Sequence, residues 1–104
     1  MSNEGLKLDH GKQPWYPLPL VVLQGLADVF AAGEKKYATF NCLQPFADGD
    51  RRFWDATIRH LASCQLDPWA QDAETGCRRG YQAAFNLIMR TYHAEQREAS
   101  NAPA

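Results

Sequence analysis

Cys77, Tyr81, Ala84, Phe85, Ile88 and Tyr92 recur at three- and four-residue spacing, and this period constrains the chain more than any other feature. It predicts a long third helix that opens near Asp72 to Thr75, runs to about Arg97 and buries one apolar face. Two shorter patterns precede it. Leu20, Leu23, Ala27 and Phe30, flanked by Val22, Leu26 and Val29, predict a first helix over Leu20 to Ala32, with Gly33 placed to stop it. Trp54, Ile58 and Leu61, with Phe53, Thr57 and Cys64 beside them, predict a second helix over Arg51 to Cys64, with Asp48 or Asp50 as its cap.

The segments between these patterns lack a period. Gly5 to Pro19 carries Pro14, Pro17 and Pro19 around Trp15 and Tyr16, so it is expected as an extended arm whose aromatics dock on the body. Glu34 to Asp50 is expected as a functional loop with at most a short turn. Gln65 to Gln71 holds Asp67-Pro68 and reads as a connector, and Ala99 to Ala104 reads as a frayed tail. The predicted fold is all-α: one domain over 1–104, a small bundle of about three helices, with an extended N-terminal arm (1–19), a helical body (20–97) and a flexible tail (98–104). Two short helices cover little of the third, so the bundle is expected to be completed by homo-oligomerisation.

A chain of 104 residues that is 45% hydrophobic and 22% charged has the composition of one globular domain, which excludes a wholly disordered or collagen-like chain. A net charge of -1 provides no global field for nucleic acid or anionic lipid, so no strong nucleic-acid partner is expected. The apolar run Leu18 to Leu23 is short and interrupted by Pro19, and no apolar leader stands at the start, so neither membrane spanning nor secretion is expected. Cys42, Cys64 and Cys77 form no C-x-x-C pair and are odd in number, which suits reduced thiols in the cytoplasm.

Several polar residues stand where chemistry is possible. Arg79, Gln82 and Asn86 lie at i, i+3 and i+7 on one helix face, either as a polar network that fixes register or as a ligand-facing row. Asp72 and Glu74 suit helix caps, or, with His60, ligands for Mg²⁺ or Mn²⁺ on a polyphosphate. Lys35 and Lys36 beside Tyr37 are either a solvated pair or a site for phosphate charge and base stacking.

Taken together, Gly5-Leu-Lys-Leu-Asp-His-Gly-Lys12 with Trp15, Gly33-Glu-Lys-Lys-Tyr37 with Asn41, Arg59-His-Leu61 and Asp72-Ala-Glu-Thr-Gly76 resemble the dATP/dGTP diphosphohydrolase N-terminal domain of phages. The resemblance spans about Gly5 to Tyr92. It implies an all-α relative of the MazG-like pyrophosphohydrolases, which cut (d)NTP to (d)NMP and pyrophosphate with a divalent metal. By position it implies that Lys35, Lys36, Tyr37 and Asn41 contact nucleotide, and that His60, Asp72 and Glu74 belong to the metal region, with His60 and Glu74 in catalysis.

The chain departs from that pattern. Arg79 and Gln82 stand where two histidines are usual, Cys42 stands where a tryptophan is usual, and Asp67 matches the connector's acidic position only with a shift. Arginine offers no lone pair to a cation, yet it clamps phosphate well. Two readings therefore stay open. One is a metal-dependent (d)NTP diphosphohydrolase using Mg²⁺ or Mn²⁺. The other is a non-enzymatic scaffold that binds a nucleotide or small phosphorylated ligand through Lys35, Lys36, Tyr37, Asn41, Arg79, Gln82 and Asn86, sequesters a nucleotide signal, or blocks a host defence protein. Both readings place the protein in the cytoplasm, that of the host if phage-encoded.

Overall fold

The computed structural model describes residues 5–101. Three α-helices form the body: α1 over Leu20–Lys36, α2 over Gly49–Leu66 and α3 over Arg79–Asn101, with a 3₁₀ turn at Asn41–Leu43. The fold is the expected small all-α bundle. None of the helices is long and apolar enough to cross a membrane.

The helix boundaries differ from expectation for local reasons. Gly33 does not stop α1, because its backbone is not left-handed and the neighbouring Ala31, Ala32, Glu34, Lys35 and Lys36 are strong helix formers. Lys35 and Lys36 thus form the basic last turn of a helix, where its dipole favours them, and are not part of a loop. Asp48 does occupy the N-cap position of α2, but with φ 55° and no side-chain capping bond. Asp50 lies in the first turn. The predicted loop contains the 3₁₀ turn and is bracketed by Phe40 and Asp48, both at positive φ.

The start of α3 is the main correction. Residues 71–78 form a tight antiparallel hairpin instead of a first helical turn: Gln71 and Arg78 bridge, Asp72 N–H donates to Cys77 O at 2.8 Å, and Gly76 N–H donates to Asp72 O at 2.8 Å. Gly76 at φ 74° takes the left-handed position that a side chain resists. Thr75 and Asp72 then bond to each other and to nearby backbone, an alternative that competes with helix. Asp72 and Glu74 are therefore not helix caps, and Cys77 lies in the hairpin. At the other end α3 continues to Asn101, so the expected frayed tail is helical from 98 to 101, while 102–104 lie outside the described residues.

The inward faces also differ from the predicted stripes. On α3 the buried residues are Gln82, Ala83 and Met89, while Ile88 is exposed. On α2 they are Phe53 and Thr57, and Trp54, Ile58 and Leu61 turn outward. Each helix is rotated by about one position; the buried Thr57 satisfies its hydroxyl within α2 by donating to Phe53 O at 2.8 Å, and Arg79 Nη1 on α3 lies 3.0 Å from His60 Nδ1 on α2. On α1, Val29 is buried while Leu20 to Leu23 remain exposed. The arm over 5–19 has turns but no helix, and its Trp15 and Tyr16 do not dock: Tyr16 is fully exposed. Residues 1–4 of the arm lie outside the described residues.

Candidate functional site

The hairpin fixes one cluster of polar groups against α2 and α3. Asp72 Oδ2 accepts from Thr75 Oγ1 at 3.0 Å and from Gln82 Nε2 at 3.2 Å, while its Oδ1 lies 3.4 Å from Arg79 Nη2. Arg79 thus reaches both Asp72 and His60. Burial pushes the Asp72 carboxyl up, but the bonds from Gln82 and Thr75 and the charge of Arg79 outweigh it and hold the group below its ordinary range. His60 is pushed down, first by burial and then by the Arg79 charge, against a smaller opposing pull from Asp72. A neutral imidazole can accept at Nδ1 the hydrogen that the guanidinium donates. Gln82 is buried and its Oε1 has no hydrogen-bond partner.

Beside this cluster lies a cleft of about 660 Å³, walled by the end of α1, the 3₁₀ turn, α2 and α3. Phe30, Tyr37, Phe53 and Phe85 supply aromatic surface, and Phe30 meets Phe85 edge-on with centroids 4.8 Å apart. Asn41 and Asn86 supply amides, Arg52 and Arg59 guanidiniums, and Glu34 and Asp55 carboxylates. Such a volume and mixture suit a small molecule with a flat ring and charged groups. Cys42 also lines the cleft, its thiol pushed up by burial.

The structure distributes the expected site residues over four places. Tyr37, Asn41 and Asn86 line the cleft. His60, Asp72, Arg79 and Gln82 form the adjoining polar cluster. Lys35 lines a separate groove between α1 and the hairpin, with Thr75, Arg78 and Tyr81. Lys36 pairs with Glu74 at 3.0 Å, and its ammonium stands 5.4 Å from the Tyr37 ring centroid. Glu74, foremost, and Tyr37 hold the Lys36 ammonium above its ordinary range. Glu74 is thereby engaged on α1 and does not join His60 and Asp72.

Arg52 and Asp55 were not singled out from the sequence, and Arg59 and Glu34 entered only as members of the quoted motifs, with no role given to them. A signal was present: Arg52, Asp55 and Arg59 repeat the i, i+3, i+7 spacing of Arg79, Gln82 and Asn86 on the facing helix.

Residues 2–102 match the family model for the N-terminal domain of dATP/dGTP diphosphohydrolase. The chain belongs to this family. Curated proteins and solved structures yielded no significant match. For a diphosphohydrolase-family domain, the donor set bears directly on whether a divalent metal fits. Among the described residues no group of three or more His, Cys, Asp and Glu side chains is gathered to hold an ion. His60 and Asp72 share Arg79, and Glu74 holds Lys36. This arrangement does not fit Mg²⁺ or Mn²⁺.

Proposed function

We propose that this diphosphohydrolase-family domain binds a nucleotide or a similar phosphorylated ligand in the Phe30–Phe85 cleft, and that binding is not followed by efficient hydrolysis. The observation carrying this reading is the juxtaposition, in one nucleotide-sized cleft, of aromatic walls, two asparagine amides and two arginines. Aromatic rings take the faces of a base, amides offer donors and acceptors to its edge, and guanidiniums grip phosphate oxygens through paired, charge-assisted bonds. Glu34 and Asp55 in the same cleft repel a bare polyphosphate and favour a ring that presents amino groups. Family membership supports the nucleotide class. Hydrolysis with Mg²⁺ or Mn²⁺ is the less favoured reading, because His60, Asp72 and Glu74 are engaged by basic side chains.

Titration calorimetry with dATP and dGTP tests this. Tyr37→Ala and Arg59→Ala are each expected to weaken binding by about tenfold, equivalent to about 1.4 kcal/mol. Lys35→Ala, outside the cleft, is the control. Undiminished affinity in both cleft variants would move the ligand elsewhere.

A further inference from the structure

We infer that the Arg79 guanidinium serves as a built-in cation between His60 and Asp72, occupying the role that a divalent metal would have there, so that this cluster takes up no divalent ion. The inference stands whether or not the neighbouring cleft takes a nucleotide.

Its basis is that one guanidinium engages two of the candidate metal ligands at once. Arg79 Nη1 lies 3.0 Å from His60 Nδ1, and its Nη2 lies 3.4 Å from Asp72 Oδ1. The other Asp72 oxygen already accepts from Thr75 and Gln82 at 3.0 and 3.2 Å. Side-chain exposure is 28% for Arg79 and 17% for Asp72, so removing either partner leaves the other as a poorly hydrated charge. Guanidinium tolerates such a place better than ammonium because it is more weakly hydrated and is never deprotonated. Being covalently attached, it is present at high effective concentration, and an ion must displace it before His60 Nδ1 and Asp72 Oδ1 can hold that ion together. The third carboxylate in reach by sequence, Glu74, pairs with Lys36 at 3.0 Å and is not gathered with His60 and Asp72.

The test is Mn²⁺ titration followed by the electron paramagnetic resonance signal of the free ion, which reads binding without any turnover. The unmodified protein is expected to leave Mn²⁺ free, and its thermal midpoint is expected not to rise with the ion. Arg79→His with Gln82→His replaces a cation and an amide by two neutral ligands beside His60 and Asp72. That double variant is expected to take up an equivalent of Mn²⁺, and to lose it again on adding Asp72→Asn. Two results would overturn the inference: unmodified protein that binds Mn²⁺ and loses it with Asp72→Asn, or a double variant, folded by circular dichroism, that takes no ion. If the double variant does not fold, the comparison between the unmodified protein and Asp72→Asn still decides.

Discussion

The imidazole of His93 lies nearly parallel to the Phe53 ring, with centroids 5.6 Å apart and planes at 18°, while its Nε2 lies 2.8 Å from Cys42 O. Through this pair α3 holds both α2 and the segment that forms one wall of the cleft. His93→Ala is expected to cost about 1–3 kcal/mol, through lost packing and a carbonyl left without its donor. It should also raise amide exchange at Asn41 to Leu43. A urea midpoint equal to that of the parent would remove His93 from this role.

Gly25 permits a close approach of α1 to α3. A Cβ there would collide with the Tyr81 ring. Alanine normally stabilises a helix interior by about 1 kcal/mol relative to glycine, but overpacking costs about 1–3 kcal/mol. Gly25→Ala is therefore expected to lower stability and to loosen α1. Chemical denaturation showing a gain would mean that Tyr81 swings aside at no cost.

Acid should weaken the fold in two separate windows. The folded-state pKa of His60 is depressed, so the unfolded chain binds the proton more readily; stability is full above about pH 6.5 and declines as pH falls through that value toward the folded pKa. The Asp72 carboxyl is also depressed, and the stability it contributes is present above its unfolded value and lost as pH falls through its folded one. Thermal midpoints between pH 8 and pH 5 should fall for the parent and change less for His60→Gln. Parallel curves would show that His60 does not set the upper window.

Trp54, Ile58 and Leu61 on α2 and Leu87 and Ile88 on α3 are each 44–50% exposed. Apolar side chains at this density on two neighbouring helices are covered in self-association more readily than left in water. Light scattering at micromolar concentration is expected to give a dimer or larger species, and Ile58→Glu to shift it toward monomer. A folded monomeric parent would refute this.

Little or no release of pyrophosphate and nucleoside monophosphate is expected from dATP or dGTP with Mg²⁺, Mn²⁺ or Co²⁺. A guanidinium and a neutral amide at positions 79 and 82 neither ligate an ion through a lone-pair nitrogen nor relay a proton near neutral pH. Turnover abolished by Glu74→Ala would show that the Lys36 contact opens during catalysis.

Helix number and type were legible because three- and four-residue spacing survives in all three segments. Facing was not. Periodicity selects Trp54, Ile58 and Leu61 as the stripe of α2 with Phe53 and Thr57 beside it, whereas the structure buries Phe53 and Thr57; pairings such as Arg79 with His60, 19 positions apart, leave no trace in local spacing. The hairpin before α3 was hidden for a different reason. Asp72-Ala-Glu-Thr reads as a capped helix start until Gly76 takes a left-handed backbone, and glycine alone does not announce which conformation it will adopt. Tyr37, Asn41 and Asn86, singled out from the sequence, line the cleft, while Arg52 is not marked by any motif and Arg59 enters only as part of Arg59-His-Leu61.

The weak burial of α1 divides the molecule into units of unequal persistence. α2 and α3 are tied along their length by Arg79 with His60, Phe53 with His93, and Asp50 with Arg90, whereas α1 buries only Val29 and otherwise meets Phe85 and Tyr81 on α3 and Glu74 of the hairpin. Subglobal opening should therefore release α1 first, with its amides exchanging well before those at the centre of α3. Because Phe30, Gly33, Glu34 and Tyr37 form one side of the cleft, that opening would also dismantle a wall of it. A ligand held there would couple that wall to α2 and α3 and slow exchange along α1.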